Sequence, residues 1–186
     1  MTVAVSAPAV RRLNWGCGTH PVPGWLNSDR KQSPGIDLVC DICDGLSLPD
    51  DAIDYAVTIH ALPEVPYDGL VPALQELRRV LRPGGALRIA VPDLVRGVQA
   101  YLAGDRDYFL VPDEDAASLG GKLATQLVWY GWSRSVFTAD FVEELARRAG
   151  FHDVRHCLFR ETSTGFEEIV ALDDRERESV FVEAIK

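Results

Sequence analysis

The sequence contains no long hydrophobic run, and this absence speaks against a membrane protein. A membrane-spanning helix needs roughly 20 consecutive apolar residues, and every apolar run here is much shorter. The apolar stretch 2–10 is followed, not preceded, by Arg11 and Arg12, which is the wrong polarity for a secretory signal peptide. We therefore expect no membrane partner and a cytoplasmic location.

Positive charge is also scarce, because 19 lysines and arginines stand against 28 acidic residues, for a net charge of -9. Lysine and arginine displace counterions from phosphate backbones and supply most of the non-specific affinity for nucleic acids. A nucleic-acid partner is therefore not expected.

The chain has only four cysteines, too few at this length for a disulfide framework. Cys40 and Cys43 have the spacing of some redox and metal sites, but no second Cys/His pair at zinc spacing accompanies them. We expect buried apolar thiols and no metal site.

What is present is typical of one globular domain. The chain has 186 residues, of which 47% are hydrophobic and 25% are charged. A domain of this size buries about 70% of its unfolded surface, enough for a full core. We therefore expect a single domain, residues 1–186, without internal repeats. No heptad or edge pattern favours a particular oligomeric state.

Short apolar runs, each closed by glycine, proline or aspartate, predict five strands in the first half of the chain. These are residues 11–15, 25–28, 36–40, 53–59 and 87–91. Only six residues lie between Gly18 and Trp25, and they include Pro21 and Pro23. This connection is too short for a crossover helix, so the first helix should be shortened or missing.

Leucines at positions 70, 74, 77 and 81 recur at helical spacing, with Asp68 as a candidate cap and Pro-Gly-Gly at 83–85 as the end. Strand, helix and strand in this order predict a right-handed parallel crossover over a cofactor-binding half, residues 11–95.

The second half of the chain divides into two predicted parts. Residues 96–137 carry many aromatic side chains and a possible Gly120-Gly121 hinge, and we expect them to cover a substrate. Residues 138–186 should hold a helix capped by Thr138 and running to Arg148, then strands 154–159 and 179–185. The charged run 173–178 between these strands is most simply a solvated connection.

The most informative segment is 13–18, Leu-Asn-Trp-Gly-Cys-Gly, where a predicted strand turns into a Gly-x-Gly elbow. Glycine tolerates positive φ and lets backbone N–H groups approach a ligand without an intervening side chain. The elbow predicts a ligand at this end of the first strand.

Several motifs together resemble the class I S-adenosylmethionine-dependent methyltransferases, in particular a short bacterial subgroup. They are LNWGCG, Asp29, CDICDGLSLPDDAIDYAVTIH, LRRVLRPGGALRIAVPDL and a helix ending RRAGF. The resemblance implies a Rossmann-like, doubly wound α/β fold. Its sheet should be mostly parallel, with about seven strands and an antiparallel last strand.

The resemblance also assigns cofactor contacts for S-adenosylmethionine. Asn14, Gly16, Cys17 and Gly18 would pack against its methionine part, although many members have an acid where this chain has Asn14. Asp29 would accept hydrogen bonds from the ribose hydroxyls, unless it is a plain turn aspartate.

Two residues after the third predicted strand should meet the adenine. The Asp41 carboxylate would face the amino group, and Ile42 would pack on the ring. The alternative is that Asp41, Asp44 and Gly45 simply build a turn.

Candidate substrate residues follow later strands of the same predicted sheet edge. His60 either orients the substrate, accepts its proton or is structural. Asp93 is either catalytic or a helix cap. Glu64 stands in Leu-Pro-Glu where the subgroup often shows Leu-Glu-His, which puts a transferred catalytic role in doubt.

Three aromatic residues could wall the substrate pocket: Trp129, Tyr130 and Trp132. A buried aromatic cluster explains them equally well.

The predicted activity is methyl transfer from S-adenosylmethionine to a small-molecule acceptor by in-line displacement. One alternative is a noncatalytic methyltransferase-like domain that binds a partner or acts as a regulator. A nicotinamide-dependent dehydrogenase ranks lower, because Pro21 stands in place of its third glycine and Asp29 comes too early.

Overall fold

A computed structural model describes residues 11–186 and contains a seven-stranded sheet with the order β3-β2-β1-β4-β5-β7-β6. The first five strands are parallel, and β7 runs antiparallel to both β5 and β6. The strands are β1 (Arg12–Trp15), β2 (Leu26–Asp29), β3 (Leu38–Val39), β4 (Ile53–Ile59), β5 (Leu81–Pro92), β6 (His152–Cys157) and β7 (Ser179–Ile185). The helices are α1 (Leu70–Val80), α2 (Leu94–Ala103), α3 (Leu119–Val128) and α4 (Ala139–Arg148).

This architecture confirms the expected fold, including the antiparallel last strand and the missing first helix. Turns alone connect β1 to β2 and β2 to β3. The apolar stretch 2–10, expected not to be a signal peptide, lies outside the described residues. Within residues 11–186, no helix is both long enough and apolar enough to span a bilayer.

Helices α1 and α4 cover one face of the sheet. Leu70, Leu74 and Leu77 follow one stripe of α1 and are fully buried. They share a core with Leu87 from β5 and Leu145 from α4. Burial of this apolar stripe contributes more to the stability of α1 than capping interactions at its ends do.

The boundaries of α1 differ from the prediction. Asp68 does not cap it, since Gly69 occupies the N-cap position and no side chain bonds the first turn. Leu81 begins β5, where it pairs with Ile53. The Pro-Gly-Gly segment is a register irregularity inside β5, and a Cβ on Gly85 would lie 2.8 Å from two carbonyl oxygens. The strand therefore begins earlier than residue 87.

The opposite face of the sheet is covered by the long segment 158–178, which carries the buried Ile169. Arg88 on β5 is fully buried, and its guanidinium donates to Asp173 Oδ1 at 2.8 Å, Asp173 Oδ2 at 2.5 Å and Glu183 Oε1 at 2.8 Å. The carbonyl oxygens of Leu158 and Glu161 accept its remaining N–H groups. The expectation of a solvated connection is therefore wrong for Asp173, which is 1% exposed.

Residues 96–137 are more regular than predicted, because they contain most of α2 and all of α3. Asp93 and Ser118 cap these helices through backbone N–H groups of their first turns. Gly120 and Gly121 belong to the first turn of α3, so they form no hinge between elements.

Two smaller differences concern the C-terminal part. Thr138 occupies the N-cap position of α4, but its hydroxyl donates to the Asp140 carboxylate instead of accepting from the helix. Strand β6 begins two residues before the predicted 154–159 and ends at Cys157.

Candidate functional site

A cavity of about 620 Å³ lies where β1, β2, β4 and β5 end. Trp15, Asp29, Ile59 and Pro92 line it from these strand ends. This is the edge at which open parallel sheets bind ligands. Five residues from the last part of α3 and the segment after it also line the cavity: Gln126, Trp129, Trp132, Ser133 and Arg134.

The glycine elbow shapes one wall of the cavity, and its N–H groups form hydrogen bonds within the protein. Gly16 N and Cys17 N both donate to Ser28 O, at 2.8 and 3.1 Å, and Gly18 N donates to Asp29 Oδ2 at 2.9 Å. These N–H groups already have acceptors in β2, and their contact with a ligand stays a prediction. The elbow thus ties the end of β1 to β2.

Close approach explains the first glycine of the elbow. Gly16 has φ +69°, and a Cβ there would overlap the Cβ of Ala61 in the turn after β4. Gly18 also has positive φ, at +57°, but a Cβ would meet no protein atom within 4 Å. Gly16 is thus required for packing, whereas Gly18 is required for its backbone conformation.

Asn14 does not line the cavity. It is 5% exposed, and its Nδ2 donates to Asn27 Oδ1 of the neighbouring strand at 3.1 Å. The predicted direct contact with the cofactor is therefore not supported, since the alternation of β1 sends this side chain elsewhere. Trp15, its neighbour in β1, lines the cavity.

Asp29 lies at the end of β2 and lines the cavity. Its Oδ2 accepts the Gly18 N–H and its Oδ1 accepts the Lys31 N–H, both at 2.9 Å. A carboxylate has about four lone-pair sites, so each oxygen retains capacity for another donor. The carboxylate is thus fixed in orientation and still able to accept two hydroxyl groups.

Asp41 and Ile42 also line the cavity, where they begin the 3₁₀ turn Ile42–Asp44. Asp41 Oδ1 accepts the Cys43 N–H at 2.9 Å, so the turn role is real. Ile42 is 5% exposed and supplies an apolar surface. The turn and ligand interpretations are compatible, because capping occupies only one carboxylate oxygen.

The cysteines are more exposed than expected, because only one of the four is buried. Cys17 is buried, but Cys40 and Cys157 are only partly buried and Cys43 is exposed. Among the described residues, no group of three or more His, Cys, Asp or Glu side chains is arranged to hold a metal ion.

His60 follows β4 and lines the cavity. Its backbone has φ +55°, and its Nε2 lies 2.7 Å from Ser179 Oγ. Burial, reinforced by the nearby charge of Arg175, lowers the pKa of His60 to about 3. The imidazole is therefore neutral at physiological pH.

Asp93 is placed as a helix cap. Its Oδ1 accepts the Val95 N–H at 2.9 Å, and its Oδ2 lies 3.3 Å from Arg96 Nε. It is absent from the cavity lining, unlike the adjacent Pro92. The structure therefore supports the cap interpretation over the catalytic one.

The three predicted aromatic residues are separated by the structure. Trp129 and Trp132 line the cavity, whereas Tyr130 does not and donates to Asp115 Oδ2 at 2.6 Å. Trp129, Tyr130 and Trp132 are 39%, 49% and 51% exposed, so they do not form a buried aromatic cluster. Trp132 also lies beside Lys31, whose Nζ is 5.1 Å from the ring centroid.

Sequence reasoning missed several polar residues of the cavity, among them Arg30, Gln126, Arg134, Arg175 and Glu178. The last two stand in the run 173–178, where the mixed charges resemble an ordinary surface loop. No local pattern distinguishes Arg134 from other exposed arginines. Glu64, whose role was in doubt, lines the cavity and pairs with Arg30 at 2.7 Å.

Part of the sequence matches a known protein family. A family model described as "Methyltransferase domain" matches residues 7–89. No curated protein sequence matches.

Solved structures resemble the whole chain. An S-adenosylmethionine-dependent methyltransferase from Thermotoga maritima, a possible histamine N-methyltransferase, has 21% identity and a TM-score of 0.59, with 97% of this chain and 84% of that one covered. Another from Archaeoglobus fulgidus has 15% identity and a TM-score of 0.60, with coverages of 96% and 87%. Both establish similarity of fold.

A larger similar protein is phosphoethanolamine N-methyltransferase 2 from Haemonchus contortus, in complex with phosphomonomethylethanolamine and S-adenosylhomocysteine. It has 12% identity and a TM-score of 0.56. The match covers 95% of this chain and 49% of that one, so this chain corresponds to about half of it.

Proposed function

We propose that the chain is a class I S-adenosylmethionine-dependent methyltransferase and that it methylates a small-molecule acceptor in the cavity at the strand ends. It is an enzyme, and S-adenosylmethionine is its methyl donor. The observation that carries the proposal is the oriented Asp29 carboxylate in the wall of a 620 Å³ cavity.

The donor half of the cavity comprises the elbow, Asp29, Asp41 and Ile42. The free lone pairs of Asp29 suit the two ribose hydroxyls, and Ile42 offers an apolar surface for the adenine. Asp41 retains one oxygen for the adenine amino group. We do not place Asn14 among the contacts, because its amide bonds Asn27.

The elbow contributes shape to this half. Its N–H groups are used by β2, so it would contact the methionine part through its backbone surface and Cys17. Tight packing of Gly16 on Ala61 keeps that surface narrow.

The acceptor half comprises His60 and the residues from α3 onward. S-adenosylmethionine, when bound, supplies a methyl group activated by its sulfonium. The residues of the chain must then hold the acceptor behind that carbon and keep water out. Near-attack positioning contributes about 7–11 kcal/mol, against about 3–5 kcal/mol for a general base.

His60 fits the orienting role better than the basic one. With a pKa of about 3, its imidazole is a weak proton acceptor at neutral pH but a competent hydrogen-bonding group. Trp129 and Trp132 line the same half and would exclude water from the reacting atoms.

Three findings support a small acceptor. The cavity volume falls in the range of small-molecule sites, roughly 300–1,000 Å³, and must hold both donor and acceptor. The net charge of -9 disfavours a nucleic-acid acceptor. The similar Haemonchus contortus protein is named for a small amine and is bound to phosphomonomethylethanolamine.

Calorimetric titration with S-adenosylhomocysteine tests the donor site, with nicotinamide adenine dinucleotide as the control. Donor-site binding should stabilise the protein by about 2.7 kcal/mol at a hundredfold excess over the dissociation constant. The dinucleotide should not bind, because no helix between β1 and β2 presents its N-terminus to a pyrophosphate. If S-adenosylhomocysteine binds but no labelled methyl group is transferred from S-adenosylmethionine to any small-molecule acceptor tested, the noncatalytic alternative is favoured.

A further inference from the structure

Three arginines and four acidic residues line the cavity. The arginines are Arg30, Arg134 and Arg175, and the acids are Asp29, Asp41, Glu64 and Glu178.

Two of these arginines are already neutralised. Arg30 Nη2 lies 2.7 Å from Glu64 Oε2, and Arg175 Nη1 lies 3.0 Å from Glu178 Oε1. For the guanidinium of Arg134, neither an ion pair nor a hydrogen bond exists within residues 11–186. Arg134 is therefore the cavity arginine whose charge is available to a ligand.

The backbone of Arg134 is held in place although the side chain is exposed. Arg134 N and Ser135 N both donate to Pro63 O, at 2.8 and 3.3 Å. Pro63 is buried in the 3₁₀ turn Leu62–Glu64, close after His60. The guanidinium thus lines the cavity from a backbone that is fixed to the turn after His60.

A guanidinium presents parallel N–H donors that match the two oxygens of a carboxylate or phosphate. We propose that the methyl acceptor carries such an oxyanion and that Arg134 binds it, which rests on the proposed function of this cavity. The acceptor is then a small anionic molecule whose nucleophile faces His60 and the donor half.

Anion titration of the whole protein tests this assignment. Inorganic phosphate and acetate would be titrated at constant ionic strength, with and without saturating S-adenosylhomocysteine, and thermal stability measured. The variants are R134Q, R134K and, as a matched control, R148Q. Arg148 is an exposed arginine on α4 that pairs with Glu144 at 3.4 Å and does not line the cavity.

Saturable stabilisation by phosphate or acetate is expected for the wild type and R148Q. In R134Q the dissociation constant should rise at least tenfold, which corresponds to about 1.4 kcal/mol. R134K should lie between the two, because an ammonium keeps the charge but loses the paired donors. The stronger of the two anions identifies which oxyanion the acceptor carries.

The proposal is wrong if the wild type shows no saturable effect with either anion, or if R134Q responds as the wild type does. S-adenosylhomocysteine binding by R134Q should equal that of the wild type. A wild type that does not bind S-adenosylhomocysteine would overturn the proposed function instead. The titrations without it still decide whether Arg134 binds an anion.

Discussion

His60 Nε2 lies 2.7 Å from Ser179 Oγ, and this contact joins the end of β4 to the first residue of β7. Ser179 is fully buried, so the pair fixes the ring at the cavity wall. The hydroxyl can donate to or accept from the ring nitrogen, depending on the tautomer. A neutral imidazole is therefore held in one orientation beside the proposed acceptor.

The first prediction concerns stability in mild acid. The pKa of His60 is about 3 in the folded protein, against about 6.5 unfolded, so the unfolded chain takes up the proton first as the pH falls. His60 therefore lowers stability progressively from pH 6.5 down to about pH 3. Between pH 7.5 and 5 this loss is about 2 kcal/mol.

Urea denaturation of the wild type and His60→Gln at several pH values measures this loss. The glutamine retains a hydrogen-bonding group for Ser179 but does not titrate. The variant should lose less stability than the wild type over the same interval. Parallel pH profiles for the two proteins would contradict the buried, neutral imidazole.

The second prediction concerns donor affinity. Asp29→Ala removes the carboxylate and should weaken S-adenosylhomocysteine binding by about a hundredfold, since two charge-assisted hydrogen bonds are lost. Asp44→Ala is the matched control, because Asp44 is an exposed aspartate of the nearby 3₁₀ turn and does not line the cavity. An unchanged calorimetric isotherm for Asp29→Ala would refute the assigned role.

The third prediction concerns the buried charge cluster. Asp173→Ala leaves the Arg88 guanidinium buried without its main partner, which should cost about 3–5 kcal/mol of unfolding free energy. Asp174→Ala changes an exposed neighbour, 3.7 Å from Arg175, and should stay within about 0.5 kcal/mol of the wild type. Chemical denaturation compares them, and equal midpoints would contradict the cluster's importance.

The fourth prediction compares the contributions of Trp132 and Tyr130 to donor binding. Trp132→Ala removes the contacts of the ring with Lys31 and Arg30 and should weaken S-adenosylhomocysteine binding about two- to fivefold. Tyr130→Ala should leave it unchanged, because Tyr130 faces Asp115 and not the cavity. Equal effects of both variants would contradict a contribution of the Trp132 ring to donor binding.

The fifth prediction compares the elbow glycines. Both have positive φ, so alanine is strained at either position. At Gly16 the new Cβ also overlaps Ala61, which should add about 1–3 kcal/mol of destabilisation. Thermal unfolding of Gly16→Ala and Gly18→Ala measures the difference. Equal losses would show that Ala61 moves away freely.

The sequence by itself determined the features that depend on neighbouring residues. Strands β4 and β7 have the predicted bounds, because their apolar runs are strong and sharply bounded. The missing first helix follows from the short, proline-bearing connection before Trp25. Asp29 could be placed at a strand end because glycines and a strand pattern flank it.

Only the tertiary structure decided which distant groups meet. Arg88 and Asp173 are 85 residues apart, and no local period reveals that a charged loop buries its aspartate beneath the sheet. The same holds for Asn14, which bonds the adjacent strand, and for Arg134, which lines the cavity because its backbone bonds Pro63. Side-chain partners depend on how the chain packs, whereas strands and turns depend on periodicity and local backbone preference.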